Sequence, residues 1–291
     1  MPRGLDHIVH TVRDLDAAAE LYRRLGFTVG ARNRHPRTWG TQNHIVQLPG
    51  TFIELLSVTD PEGIVPHGER AFSFGAFNRD FQARHEGLAM IVLEGRGAED
   101  AAAFRAAGIG DFEIYDFERE GRRPDGSPIK VAFSLAFAAD PLAPEAGFFT
   151  CLHRYPENFW NPAFQVHGNT ASAVAGVVLV AENPSDHHIF LSAFVGERDI
   201  HASSTGVTVP TPRGDIQVTD PAAFRIQFGA APPDNAGGAR IAALRIAVAD
   251  FAEAIRTLQA SRIEAQMRMG RIIVPPAAAM GATLVFEPAA G

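Results

Sequence analysis

A chain of 291 residues, 46% hydrophobic and 20% charged, has a globular composition and enough apolar material for a sizeable core, which excludes a disordered or fibrous polymer. Its formal charge is −7, from 26 basic and 33 acidic residues, with no lysine or arginine run, so no nucleic-acid partner is expected; such a partner calls for a concentrated basic face. The single cysteine, Cys151, excludes an internal disulfide, no apolar run approaches the roughly 20 residues of a membrane span, and no secretory stretch opens the chain, so the expected location is the cytoplasm.

Taken in order, residues 4–12 read as a strand. His7, Val9 and Thr11 share one face, and Ile8, His10 and Val12 the other. Residues 14–26 follow as an amphipathic helix with an apolar stripe of Leu15, Ala18, Tyr22 and Leu25, Asp14 as N-cap and Gly26 just past its end. A strand is expected at 27–31, then a polar loop through Arg32, Asn33, His35, Pro36 and Trp39. Next come a strand at 44–48, a Pro49-Gly50 turn and a strand at 51–58 whose one ionisable residue is Glu54.

The order strand, helix, three strands then recurs three more times. The second unit opens at 87–93, has a helix at 99–107 and middle strands at 112–117 and 129–137 around the turn-rich Arg123-Pro124-Asp125-Gly126, and closes at 147–153. The third opens at 174–180, caps a helix with Asn183-Pro184 ahead of Ile189, Phe190 and Phe194, and closes at 224–228. The fourth opens at 241–248, repeats the helical stripe with Phe251, Ala254, Ile255 and Leu258, and closes at 283–287. Residues 156–169 interrupt the rhythm as a connector, and 230–238, rich in Pro and Gly, form a link. The expected architecture is α+β, with four βαβββ units in two paired-unit domains, 1–155 and 170–291. Each domain would be a curved, mostly antiparallel, cup-shaped sheet with helices outside.

This pattern, with Gly4-Leu5-Asp6-His7-Ile8-Val9 at its start and Phe52-Ile53-Glu54-Leu55 closing the first unit, resembles the vicinal oxygen chelate superfamily. That superfamily takes in glyoxalase I, fosfomycin- and bleomycin-resistance proteins, extradiol dioxygenases and methylmalonyl-CoA epimerase. More narrowly, the first half resembles the glyoxalase-like domain of bacterial proteins. The resemblance implies a divalent metal inside the cup, held by side chains from the first and last strands of the units. His7 matches the first-strand ligand and Glu54 the last-strand carboxylate, which is also the expected catalytic group. The second unit departs from the pattern, with Leu88 at a frequent histidine position and Cys151 at a frequent glutamate position. His153, two residues further along on the same strand face, is the expected third ligand.

Two histidines and a carboxylate suit Zn, Fe, Ni, Co or Mn and leave positions open for substrate. Glu54 lies on a strand that is apolar on both faces, and a buried carboxylate needs a partner. His10, on the opposite face from His7, is expected to pack under the helix. In the strand before Glu54, one parity turns Asn43 and Gln47 into the cup and the other turns His44; Asn43 and Gln47 are the expected pocket residues, with Trp160 closing the mouth. The second half has no histidine on its opening strands to pair with Glu287 and is expected to be a structural or dimer-forming copy without its own centre. The sequence thus leaves two functions: a metal-dependent lyase, isomerase or dioxygenase for a small oxygenated molecule, or a metal-free protein of the same fold that sequesters a small ligand. A small-molecule partner and a possible homodimer go with either.

Overall fold

The computed structural model describes residues 1–122 and 128–289, and the expected turn at 123–126 lies outside them. The first half runs β1 (Leu5–Thr11), α1 (Leu15–Arg24), β2 (Asn33–Arg34), β3 (Thr41–Leu48), β4 (Thr51–Val58), α2 (Phe74–Arg84), β5 (Gly87–Glu94), α3 (Ala98–Ala107), β6 (Tyr115–Arg122), β7 (Pro128–Ala138) and β8 (Gly147–His153). A short helix, α4 (Pro156–Phe159), begins the connector. The second half runs β9 (Ala171–Val180), α5 (His188–Val195), β10 (His201–Ser203), β11 (Gly206–Pro210), β12 (Asp215–Thr219), α6 (Pro221–Phe228), β13 (Arg240–Val248), α7 (Phe251–Ser261), β14 (Gln266–Arg268), β15 (Arg271–Val274) and β16 (Thr283–Pro288).

Each half is one curled eight-stranded sheet, in the orders β2-β3-β4-β1-β5-β8-β7-β6 and β10-β11-β12-β9-β13-β16-β15-β14. Pairing is parallel only where the first strand of a unit meets its last, β1 with β4, β5 with β8, β9 with β12 and β13 with β16. The two opening strands of a half meet antiparallel at the centre, β1 on β5 and β9 on β13. That arrangement puts the first and last strands of both units side by side, so their inward side chains face one cavity.

Local chemistry accounts for the elements. Asp14 accepts from the Ala17 amide at 2.9 Å, Arg23 and Arg24 sit in the last turn of α1, and the helix buries Leu15, Ala18, Leu21 and Tyr22. Two expectations are corrected. Residues 27–31 form no strand: Phe27 drops into the core, and only Asn33 and Arg34 pair with β3. Residues 224–228 are the end of helix α6, not a strand. Asp220 accepts from the amides of Ala222 and Ala223, Pro221 occupies the first turn, and Phe224 and Phe228 are buried while Ile226 is exposed. Phe-x-Ile-x-Phe alternates like a strand, but its two phenylalanines are also four apart, the helical spacing, and the cap selects the helix. The strand that closes the third unit is β12.

The outward faces of both sheets, with α1, α3, α5 and α7, contribute to one continuous core that includes Ile8, Ile53, Phe104, Val177, Phe194 and Leu244. Two helices lie against inward faces instead: α2 presses Phe74 and Phe81 on Val9, Leu56 and Met90, and α6 presses Phe224 and Phe228 on Val178 and Val285. Among the described residues, no helix is long and apolar enough to cross a membrane.

Polar links join the halves. Arg240 pairs with Glu145 at 2.7 Å and His187 with Asp140 at 2.6 Å. His10, on the packing face as expected, donates from Nε2 to the Met280 carbonyl and takes the Tyr22 hydroxyl on Nδ1. In the connector, His167 Nδ1 accepts from the Thr28 amide and Nε2 donates to the Gln47 carbonyl, a pattern that only the neutral ring supports. Burial pushes both imidazoles below the ordinary 6.5. Between those depressed values and 6.5 the unfolded chain therefore binds more protons than the folded one, so stability is complete above pH 6.5 and declines as pH falls through the folded values. Urea denaturation is expected to give a lower midpoint at pH 5.5 than at pH 8, and a flat profile between them would contradict these assignments.

Candidate metal and substrate site

The inward face of the first sheet holds a pocket of about 600 Å³, open mouth included, lined by side chains of β1, β3, β4, β6, β7 and β8. Glu54, only 5% exposed, stands near its floor. Its Oε1 accepts from Asn43 Nδ2 at 2.5 Å, which settles the parity of β3 in favour of Asn43 facing inward. His44 turns away and meets the Gly30 carbonyl at 2.8 Å. His7 Nε2 lies 3.8 Å from Glu54 Oε2. The other carboxylate oxygen lies 3.6 Å from Nε2 of His35, on the loop between β2 and β3.

The tautomers follow from the partners. His7 Nδ1 donates to Asp6 at 2.6 Å, and His35 Nδ1 meets the Thr41 hydroxyl at 2.8 Å while its Nε2 takes the Asn43 amide at 3.2 Å. The Asn43 amide leaves the His35 Nε2 unprotonated, and both rings turn Nε2 toward Glu54, each anchored behind by its other nitrogen, as metal-binding histidines usually are. Phe52 stacks on the His7 ring at 4.2 Å, and Trp39 and Phe74 hold His35 edge-on. Burial keeps His35 below its ordinary value, against the pull of Glu54.

Behind His7, a one-residue irregularity between Leu5 and His7 in the pairing with β5 allows Asp6 to reach His153. His153 Nε2 is 3.1 Å from Asp6 Oδ2, and its ring stacks on Trp160 at 5.6 Å. Burial alone would raise the Asp6 carboxyl, but hydrogen bonds from His153 and His7 outweigh it and hold the group at about 2. Asp6, Cys151 and His153 also bring one donor atom each to within 4.8 Å of one another. The structure therefore separates the expected trio: His7 and Glu54 converge in the cup, and His153 is connected to them through Asp6. Burial, with the Asp6 and Glu54 charges, pushes the Cys151 thiol well up.

The remaining expected pocket residues are placed differently. Gln47 donates to the Phe159 carbonyl at 2.8 Å and accepts from the Asn161 amide at 3.0 Å, so it clamps the connector to β3. The clamp delivers Phe159, not Trp160, to the wall of the cup; Trp160 faces a second cavity with Asp6, His153, Glu94 and Arg213. Two residues of the cup, His35 and Arg119, lay outside the expected set. Nothing in the periodicity marks either, because one sits on a loop and the other beyond the expected end of its strand.

The second sheet has a different centre. Registers place Gly176 of β9 opposite Asp215 and Arg245, as His7 of β1 is placed opposite Phe52 and Val92. A side chain at Gly176 would put its Cβ 2.3 Å from the Asp215 carboxylate. Asp215 fills that space, and Arg245 bonds it at 2.7 and 3.0 Å and Glu287 at 2.8 Å, with Arg271 also on Glu287 at 2.8 Å. Asp215 and Glu287, the two carboxylates of this centre, are thus already matched by guanidinium groups.

A paired-unit cup with histidine and carboxylate on its innermost strands defines a protein of the vicinal oxygen chelate superfamily. Within it, the chain belongs to the Glyoxalase-like domain family, whose model matches residues 5–195. A solved hypothetical protein from Staphylococcus aureus is similar over 99% of this chain and 100% of its own, at 14% identity and a TM-score of 0.69. A variant of 4-hydroxymandelate synthase from Streptomyces coelicolor is similar over 100% of this chain and 94% of its own, at 11% identity and a TM-score of 0.54. At those identities the likeness is one of fold. No protein of curated function matches the chain in sequence.

Proposed function

We propose that the first cup is a divalent-metal centre held by His7, His35 and Glu54, and that the protein is a metal-dependent enzyme acting on a small oxygenated molecule. The observation that carries this reading is the state of Glu54. It is a buried carboxylate with one hydrogen bond, no lysine or arginine partner among the described residues, and two imidazole Nε2 atoms at 3.6 and 3.8 Å. Those separations, one to each carboxylate oxygen, are long for hydrogen bonds, and an ion shared by Glu54 and either imidazole would need about 3.3–3.6 Å between donors; the group whose donors already lie within 4.8 Å of one another is Asp6, Cys151 and His153. The donor set suits Zn, Fe, Ni, Co or Mn. A bound ion would supply Lewis-acid polarisation of a substrate oxygen. Glu54 is the one carboxylate lining the cup among the described residues, and we assign proton transfer to it; lyase, isomerase and dioxygenase chemistry all remain within this class. The free, buried Cys151 supports a reducing compartment, the cytoplasm.

Cobalt(II) titration of the chelator-treated protein tests the assignment. One equivalent is expected to bind with a visible d–d spectrum, binding should be lost in His7→Ala and His35→Ala, and Cys151→Ala should leave it unchanged. A thiolate-to-cobalt band that vanishes in Cys151→Ala, with His35→Ala still binding, would move the ion to Asp6, Cys151 and His153. No binding by the parent protein would overturn the proposal.

A further inference from the structure

We infer that the cup receives its ligand as an anion, a small monocarboxylate with a flat apolar body, and that Arg119 binds the carboxylate. The inference rests on reading the cup as the substrate site, but it does not depend on the metal. Arg119 projects from β6 into the same pocket as Glu54 and is half-buried there. Its Nη1 donates to Asn33 Oδ1 at 3.1 Å, and no carboxylate pairs with it among the described residues. Other arginines drawn into this fold are matched: Arg3 by Asp100, Arg240 by Glu145 and Arg245 by Asp215 and Glu287. A guanidinium carries five donors, so one neutral acceptor leaves most of its capacity and all of its charge without a protein partner in the half-buried pocket.

The groups around it narrow the ligand further. Asn33, held by its own Nδ2 on the Ala31 carbonyl, fixes one edge of the guanidinium and leaves the remaining donors for the cavity. Phe117 and Phe133 lie parallel at 6.0 Å between centroids, and Phe133 also meets Phe159 edge-on. Flat apolar walls that end at a planar, bidentate cation match a planar apolar body ending in a carboxylate. A cationic ligand would meet Arg119 as a like charge, and a neutral one would leave it without a counter-charge. A ligand with a second carboxylate would have to place it near Glu54.

The test is calorimetric binding of benzoate, phenylacetate and cinnamate, with the corresponding amides as neutral isosteres, to chelator-treated protein and to cobalt-loaded protein. At least one acid is expected to bind the chelator-treated protein about tenfold or more tightly than its amide. Arg119→Gln should abolish that preference, Arg119→Lys should recover part of it, and the melting temperature of both variants should stay near that of the parent. An acid preference that survives in Arg119→Gln, equal binding of acids and amides, acid binding confined to the cobalt-loaded protein, or no binding of any of the three acids would each overturn the inference. Failure of cobalt to bind would count against the metal centre alone, because the acid preference is read without it.

Discussion

In a Glu54→Gln variant, metal affinity and stability are expected to move in opposite directions. The amide keeps the size and the Asn43 contact but removes the one anionic donor in the cup, so cobalt affinity should fall by about 100-fold or more, roughly 2.8 kcal/mol. The metal-free protein should melt at the same temperature as the parent or a few degrees higher. The reason lies in the site: Glu54 is 5% exposed, its hydrogen bond comes from a neutral amide, and no lysine or arginine pairs with it among the described residues. Without a cation that arrangement leaves a carboxylate without a counter-charge in a buried cavity, which costs stability. Sites that must bind something often carry such a cost. Titration calorimetry and thermal melts on metal-free protein decide the point: a variant that binds cobalt as tightly as the parent, or one that is destabilised by several kcal/mol, would show Glu54 to be a structural residue.

The second large effect is expected at Arg245. Replacing it by alanine leaves Asp215 and Glu287 facing each other in a cavity that only Arg271 still neutralises, and a destabilisation of about 3 kcal/mol should follow, the low end for breaking a buried pair because Asp215 keeps some exposure. Combining Arg245→Met with Asp215→Asn and Glu287→Gln removes charge from both sides and should restore most of the loss. Chemical denaturation of the three-substitution variant beside Arg245→Met, which matches it in volume at that position, separates charge compensation from simple packing. If both variants lose the same stability, Arg245 does not act through the charges of Asp215 and Glu287.

Much of the first cup was legible because it depends on short-range patterns. Alternation put His7 and His10 on opposite faces of one strand, and the pairing of His10 with Tyr22 and Met280 bears that out. Apolar neighbours on both sides of Glu54 implied burial, and the carboxylate is buried. The α1 stripe and its Asp14 cap read directly from spacing. Alternation was also what failed at 224–228, where period two and a four-residue spacing describe the same letters and only the Asp220 cap tells them apart. Gln47 shares the parity of Asn43 and is buried with it, yet the connector reaches it before the cavity does.

The amino-acid sequence by itself determined the order of the units, the side of each strand on which a residue lies, and the caps that start the helices, since these rest on neighbours within a few positions. Which of those sides shares a cavity was decided by the tertiary structure. His35 arrives by a loop that folds back over β3, and Arg119 by a hairpin strand that enters the sheet at its far edge. His153 is drawn to Asp6 by an irregularity in a pairing between strands some 80 residues apart in the chain. Register, curl and loop closure join residues far apart in sequence, and no local periodicity carries that information.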